Sequence, residues 1–181
     1  GAGKPLLRSL VTAEEVHGKT GLDGVELHEP VCPLQPVHAV PYLIDTLRKA
    51  DDASITICPI GPLTNIAQAL SLAPDIGRAI KNIVLMGGNY FEAGNITPAA
   101  EFNFYVDPHA AQVVLQSGVP IAILPLDVTH KATITTPRMD VLRQQPNANG
   151  SRLAGILQSY ERFDTQKFGL EGGPLHDPCA I

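Results

Sequence analysis

Three polar residues that follow an apolar run give the first indication of chemistry in this chain. Asn95, Glu101 and Asn103 come shortly after residues 83–86, a run that ends at two glycines. Two carboxamides and a carboxylate can together donate and accept the hydrogen bonds needed to hold several neighbouring hydroxyl groups. The three residues therefore favour a sugar over a flat apolar ligand. The alternative is that Asn95 is a turn residue and Glu101 a solvated charge.

The elements that would position these side chains alternate between helix and strand. Apolar runs at 55–58, 83–86 and 120–125 predict strands, and the run at 83–86 suits a strand covered on both faces, although its periodicity also permits helix. Short punctuated links join these runs to helical patterns. The alternation predicts an α/β fold with a mostly parallel sheet and right-handed crossovers. Ligands of such sheets bind beyond the carboxyl ends of the strands.

The helical patterns are found before and after each predicted strand. Apolar residues at helical spacing predict helices around 40–47, at 64–72, at 75–81 and at 150–163. Asp107 is expected to cap a further helix that has Pro108 as its first residue and ends near Gly118. The first 36 residues read as loop with one helical turn within 12–24, and loops of this length tend to be functional.

Composition limits the class of protein. The chain has 181 residues, 44% of them hydrophobic, which predicts one globular domain. A formal charge of -5 without a basic stripe makes nucleic acid an unexpected partner. No run approaches the roughly 18 apolar residues of a membrane span. The three cysteines are widely spaced and form no C-x-x-C pair, which argues against a disulfide framework or a structural zinc site and favours the cytoplasm.

Five segments, in unbroken order, resemble the nucleoside hydrolases. The segments are VHGKTGLDG at 16–24, GPLTNIA at 61–67, LMGGNYFEAGNITPAAEFNFYVDP at 85–108, PLDVTH at 125–130 and HDPCAI at 176–181. Each is weak alone, but five in order across nearly the whole chain are specific. The chain is most similar to the inosine/uridine-preferring and pyrimidine-preferring branch, and it lacks the tryptophans of the purine-specific branch.

The resemblance implies calcium-dependent hydrolysis of the N-glycosidic bond of a ribonucleoside to ribose and free base, in nucleoside salvage or catabolism. The ribosyl carbon becomes oxocarbenium-like during this reaction. The protein must therefore stabilise positive charge on the sugar, activate a water and protonate the departing base. The implied partners are a small ribonucleoside, Ca²⁺ and further copies of the chain in a homo-oligomer.

The resemblance also assigns the proton donor and the metal ligands. His176 matches the family's acid, and an imidazole titrates in the range that suits protonation of a ring nitrogen. Asp177 matches a calcium ligand, and Ile60 matches a residue that binds calcium through its backbone carbonyl. The alternatives are that His176 is a satisfied histidine at a helix start and that Asp177 caps a helix beginning at Pro178.

The remaining matches concern the nucleoside itself. Asn95, Glu101 and Asn103 match positions that hold the ribose hydroxyls. Met86 matches a residue packed under the sugar, and Phe102 one that lies against the sugar or base; either could instead belong to the core. His17 matches a loop histidine that closes over the base, with a solvated histidine as the alternative. Asp127 is expected to be structural. Asp164 and Phe168 fall in a segment that matches a second lid.

The chain departs from the family in one motif. The aspartate-rich loop D-x-D-P-G-x-D-D, which supplies most calcium carboxylates and the general base, does not occur in the sequence. Asp177 and Ile60 cannot fill the ~6–8 oxygen positions that calcium prefers. We therefore expect this chain to be an internal section of a longer enzyme and to be inactive alone. A nucleoside- or ribose-binding module without catalysis, or a scaffold for assembly, are the alternatives.

Overall fold

The computed structural model describes residues 1–23, 25–26, 29–168 and 172–181, and from 161 to 168 it describes the backbone alone. The described chain divides into two compact units. The first comprises Gly1–Val11, Leu34–Val128 and His176–Ile181, and the second comprises Thr12–Pro33 and Thr129–Leu175. The expectation of a single domain stays a prediction.

The first unit is built on a parallel three-stranded sheet. Its strands are β1 (Ile55–Ile57), β2 (Ile80–Met86) and β3 (Ile121–Leu124), with β2 in the centre. Ile83 pairs with both Ile57 and Ile121, which brings the ends of the three strands to one edge. The α/β fold class, the parallel sheet and the three strand positions are confirmed.

Helices surround this sheet. The helix α1 (Glu14–His17) belongs to the second unit, and α6 (Leu126–Thr129) spans the boundary between the two units along the chain. The helices of the first unit are, in chain order, α2 (Ala39–Lys49), α3 (Thr64–Leu72), a 3₁₀ helix (Pro74–Ala79), α4 (Phe102–Val106), α5 (Pro108–Leu115) and a second 3₁₀ helix (Asp177–Ala180). Ile76, Ile83, Leu85 and Val114 are at most 1% exposed in the core between these helices and the sheet. Burying each such side chain stabilises the fold by roughly 1.5–3 kcal/mol.

The second unit contains two long-range features. Strands β4 (Thr133–Ile134) and β5 (Gly173–Pro174) pair antiparallel, and the helices α7 (Thr136–Arg143) and α8 (Ala148–Phe168) pack against each other.

Along the described residues, no helix is long and apolar enough to cross a membrane.

Several predicted boundaries need correction. The helix expected at 75–81 is a 3₁₀ helix that ends at Ala79, after which Ile80 already belongs to β2. The last helix continues to Phe168, beyond the predicted end at 163. The helix after Asp107 is confirmed, because Asp107 accepts a hydrogen bond from the Ala110 amide and Pro108 is the first helical residue.

Candidate active site

Glu101 lies at the junction between the end of β2 and the start of α4. Its Oε2 accepts hydrogen bonds from the backbone N–H of Gly88, at 2.9 Å, and of Phe104, at 3.1 Å, while Oε1 accepts one from the Asn103 N–H at 2.8 Å. The carboxylate thereby caps α4 and holds the turn that follows β2. Glu101 is 2% exposed, so the alternative reading of a solvated charge is wrong.

Asn103 and Met86 are joined directly. The Asn103 Nδ2 donates to the Met86 carbonyl oxygen at 3.1 Å and approaches the Met86 sulfur at 3.4 Å. Met86 is 3% exposed and packs with Leu126 and Ala180. Met86 therefore belongs to the apolar packing and also supports one of the predicted sugar-binding side chains.

Asn95 is tied to the same helix from the preceding loop. Its Oδ1 accepts a hydrogen bond from the Phe102 N–H at 2.8 Å. Phe102 is half-buried and lies outside the apolar clusters formed by the described residues. Asn95, Glu101, Asn103 and Met86 thus form one hydrogen-bonded group around the start of α4.

The loop that carries Asn95 closes tightly on itself. The Gly94 N–H donates to the Pro98 carbonyl at 3.1 Å, and Thr97 and Ala100 form a bridge. A Cβ atom at position 94 would collide with the backbone of Thr97 and Ala100. Only glycine fits there, because the backbone of the loop fills the space of a side chain.

The turn after β2 is packed equally closely. A Cβ at Gly87 would lie 2.8 Å from the Phe104 ring and 3.3 Å from the Glu101 Oε2, and Gly88 has φ +73°. Phe104 was not predicted as a site residue, although its ring supports the turn held by Glu101. The glycine pair was its signal in the sequence, since consecutive glycines after a strand indicate close approach of another group.

Asp177 and Ile60 belong to segments that contact β2, the strand that ends at Met86. The 3₁₀ helix of Asp177 packs against β2, and the negative charge of Asp177 acts on Glu101. The Met86 N–H donates to the Pro59 carbonyl at 3.0 Å, which positions Ile60 one residue further along the chain. His176, half-buried, directly precedes Asp177 and occupies the cap position of that helix, so Asp177 itself is not the cap residue.

Burial raises the pKa of the Glu101 carboxyl above its ordinary value. The hydrogen bonds from the Asn103, Gly88 and Phe104 amides oppose this shift, and the nearby Asp177 charge adds to it. A carboxyl that is buried and close to a second carboxyl is a pattern typical of functional sites, because desolvation and like charge both disfavour its ionised form.

Two oxygen ligands near this group could form part of a calcium site. The Asp177 carboxylate and the Ile60 carbonyl are hard oxygen ligands of the kind calcium accepts, and the Asp177–Glu101 pairing is one that a cation would relieve. Among the residues that the structure describes, no group of three or more His, Cys, Asp or Glu could hold a metal. These residues could therefore contribute to a calcium site but do not complete one.

Asp127 and Asp107 each hold several backbone amides in place through their carboxylates. Asp127 accepts hydrogen bonds from the consecutive amides of Tyr90, Phe91 and Glu92, at 2.8, 2.8 and 3.2 Å, and these bonds lower its pKa, the Tyr90 bond most. Its structural role is as expected. Asp107 was predicted only as a cap.

Asp107 also joins three segments of the first unit. Beyond its bond to the α5 amide, its Oδ2 accepts from the Leu6 N–H at 2.9 Å and from the Thr64 hydroxyl at 2.7 Å. The Thr64 and Leu6 contacts span 43 and 101 positions of sequence. No local pattern indicates contacts of that separation.

His17 lies in the second unit. It is exposed, ends α1, and stacks on Tyr160 with ring centroids 5.4 Å apart and an interplanar angle of 8°. The structure therefore does not add His17 to the group around Glu101, and the role over a base stays a prediction. The side chains of Asp164 and Phe168 lie outside the described residues.

Comparison with known proteins identifies the family. A family model described as inosine-uridine preferring nucleoside hydrolase matches residues 1–181. The pyrimidine-specific ribonucleoside hydrolase RihA of Photobacterium profundum is 47% identical over 182 residues, which cover 100% of this chain and 58% of that protein. An uncharacterized protein of Schizosaccharomyces pombe is 50% identical with the same two shares.

A solved structure agrees with these relatives. The purine-preferring ribonucleoside hydrolase from Gardnerella vaginalis superposes with a TM-score of 0.87 and 34% identity, over 92% of this chain and 53% of that one. The chain thus spans 58% of the length of the curated relatives it matches. With a family match over its full length and the same fold, the chain belongs to the inosine-uridine preferring nucleoside hydrolases.

Proposed function

We propose that this chain is the sugar-binding and proton-donating part of a ribonucleoside hydrolase that releases ribose and free base. The observation that carries the proposal is the hydrogen-bonded group of Met86, Asn95, Glu101 and Asn103 at the end of the central strand, within reach of the Asp177 charge. Polar groups at the carboxyl end of a parallel sheet are in the usual position for a ligand.

The side chains divide the work by their chemistry. Asn95, Glu101 and Asn103 bind ribose hydroxyls, and Met86 packs beneath the ring with a polarisable sulfur. The carboxylates of Glu101 and Asp177 stabilise the positive charge that develops on the ribosyl carbon. Without a nearby cation, the Asp177 charge disfavours the ionised form of Glu101, and positive charge on the sugar would relieve this repulsion. Phe102 lies against the sugar or base, and His17 closes over the base.

His176 donates the proton to the departing base. Its assignment rests on its position directly before Asp177, in the cap position of the 3₁₀ helix that packs against β2. An imidazole near neutrality can both hold and release a proton. The alternative, a satisfied histidine at a helix start, predicts no effect of His176 on turnover.

Calcium is part of the proposal. Asp177 and the Ile60 carbonyl would be two of its ligands, and the ion would supply Lewis-acid activation of water. Because the sequence carries no aspartate-rich loop to provide the other ligands and the general base, we expect no turnover by this chain alone.

The proposal extends to the setting of the enzyme. The named relatives include a pyrimidine-specific and a purine-preferring hydrolase, so the substrate class is ribonucleosides in general, with a role in their salvage. A cytoplasmic location is favoured by the wide spacing of Cys32, Cys58 and Cys179, which form no C-x-x-C pair. We also expect a homo-oligomer.

The test compares this chain with a longer protein that contains it together with the aspartate-rich loop. Ribose release from uridine and inosine is measured with and without added calcium. In the longer protein, His176→Ala should lower kcat by about 10²–10⁴-fold. The matched control is His38→Asn, which removes an exposed imidazole but keeps the acceptor that caps α2.

Three results would contradict parts of the proposal. An unchanged kcat in His176→Ala removes that residue as the acid. Clear turnover by this chain alone, abolished by the same substitution, refutes its inactivity. Saturable ribose binding by the longer protein without hydrolysis would favour the non-catalytic binding module.

A further inference from the structure

The short helix α4 carries two of the side chains assigned to the nucleoside, and it needs support from outside. It comprises five residues, Phe102–Val106, and its buried residue is Val106. An isolated helix of this length is unstable in water, because the first turn fixes several residues for a single hydrogen bond. The positions of Phe102 and Asn103 therefore depend on what holds the two ends of α4.

The amino end of α4 is held by residues close in sequence. Glu101 accepts hydrogen bonds from the Asn103 and Phe104 N–H groups, and Asn95 accepts one from the Phe102 N–H. The side chains proposed to bind the sugar thus hold each other in place at this end.

The carboxyl end of α4 is held by Arg8, which is 97 positions away in sequence from its partner Tyr105. The Arg8 Nη1 donates to the Tyr105 carbonyl, one of the last carbonyls that a helix leaves without an intrahelical partner. The guanidinium also lies 4.3 Å from the centroid of the Tyr105 ring, within the range of a cation–π contact. A positive charge at this end of a helix is favourable as well.

The backbone that carries Arg8 is itself fixed. Pro5 is buried, and the Leu6 N–H donates to the Asp107 Oδ2 at 2.9 Å. Asp107 is fully buried and directly follows α4. Arg8 therefore reaches Tyr105 from an ordered segment, and little conformational freedom is lost in making the contact.

Packing on one side of α4 is incomplete, which increases the importance of these polar contacts. A cavity of about 440 Å³ is lined by Glu101, Phe104, Tyr105 and Arg8, among others. The cavity borders the candidate active site through Glu101. Because side chains do not fill this space, the Arg8 guanidinium supplies support that packing would otherwise give.

We propose that Arg8 is a positioning residue of the sugar site, which holds the carboxyl end of α4 so that Asn103 is presented to a ribose hydroxyl. The inference rests on the proposed function, because it needs Asn103 to bind the sugar. Arg8 acts through α4, and neither the proton donor nor the metal ligands are involved.

The kinetic test uses the longer protein that contains this chain and the aspartate-rich loop. We compare kcat/KM for uridine with that for 2′-deoxyuridine and for 3′-deoxyuridine. Arg8→Ala should lower kcat/KM for uridine by about 10–100-fold, because small displacements of binding groups are costly. The preference for uridine over at least one deoxynucleoside should fall by about 10-fold, the value of one hydrogen bond. A variant that is only less folded loses activity on all three substrates alike and keeps the preference.

Two variants serve as controls. Arg48→Ala removes an exposed guanidinium from the same unit, where it pairs with Asp75, and should leave kcat/KM and the preference unchanged. Arg8→Lys keeps the positive charge and a donor without the planar fork, so its preference should fall between those of Arg8→Ala and the unmodified enzyme.

Asn103→Ala separates failure of this inference from failure of the proposed function. A preference that is lost in Asn103→Ala but kept in Arg8→Ala overturns the role of Arg8 and leaves the proposed function in place. A preference that is kept in Asn103→Ala contradicts the assignment of Asn103 to a ribose hydroxyl, and the role of Arg8 is then overturned with it.

Hydrogen exchange of this chain gives a readout that needs no activity. Arg8→Ala should speed exchange of the amides at 103–106 by about 10-fold, because α4 would open locally more often. Exchange in α2 should not change, and Arg48→Ala should leave the amides of α4 as they are. Equal exchange of α4 in Arg8→Ala and the unmodified chain would overturn the proposal.

Discussion

Asp107→Ala should destabilise the first unit more than most single substitutions. The carboxylate is fully buried and accepts three hydrogen bonds, from the amides of Ala110 and Leu6 and from the hydroxyl of Thr64. Loss of the helix cap costs about 1 kcal/mol. Leaving the other two donors without an acceptor costs about 1–3 kcal/mol each, reduced where the Thr64 hydroxyl can rotate to another acceptor. We expect a total of about 3–5 kcal/mol.

Urea unfolding of this chain, followed by circular dichroism, measures the effect. With an m-value of about 2 kcal/mol/M, the predicted loss moves the midpoint by roughly 1.5–2.5 M. Thr64→Val removes one donor together with its need for an acceptor, and should cost less than half as much. The surface control is Asp75→Asn, which breaks the exposed pair with Arg48 and should leave the unfolding midpoint almost unchanged. A midpoint shift for Asp107→Ala no larger than that of Asp75→Asn would refute the reasoning.

Two further predictions concern the turn after β2 and the carboxyl it holds. Gly87→Ala should lower the free energy of unfolding by about 1–3 kcal/mol, because the new Cβ would press on the Phe104 ring. Thermal unfolding measures this loss. If adding Phe104→Leu to Gly87→Ala recovered none of the lost stability, the steric cause would be contradicted. The raised pKa of Glu101 means that the folded state binds more protons than the unfolded state above pH 4.5. Stability should therefore decline as the pH rises from 4.5 through the raised pKa, and Glu101→Gln should remove that slope in pH-dependent urea titrations; an identical slope in both proteins would exclude Glu101 as its source.

The sequence predicts those parts of the fold that depend on local patterns. The strands at 55–58, 83–86 and 120–125 and the helix Thr64–Leu72 follow from apolar runs and helical spacing. The region 75–81 was misassigned because Ile76, Ala79 and Ile80 satisfy a helical period while tertiary pairing draws Ile80 into β2. Tertiary context overrides propensity in short segments of this kind.

Other elements have no signal that a local pattern could detect. The strands β4 and β5 contain two residues each, and their pairing joins Ile134 to Gly173 across the whole of α7 and α8. The contact of His17 with Tyr160 is equally remote in sequence. The close grouping of Asn95, Glu101 and Asn103 was predictable because the three residues follow one strand end, whereas the support from Phe104 depends on a ring position that spacing does not specify.

The closed loop around Gly94 has a consequence for how a ligand would be received. Backbone atoms fill the position of a side chain there, and the Asn95 carboxamide next to it is bound to the start of α4. This side of the site is consequently held in place before any ligand arrives, and the side chains proposed to bind the sugar would act as a fixed template. Adaptation to nucleosides of different size would then fall to other segments, and a variant that loosens position 94 should broaden the sugars accepted before it alters the choice of base.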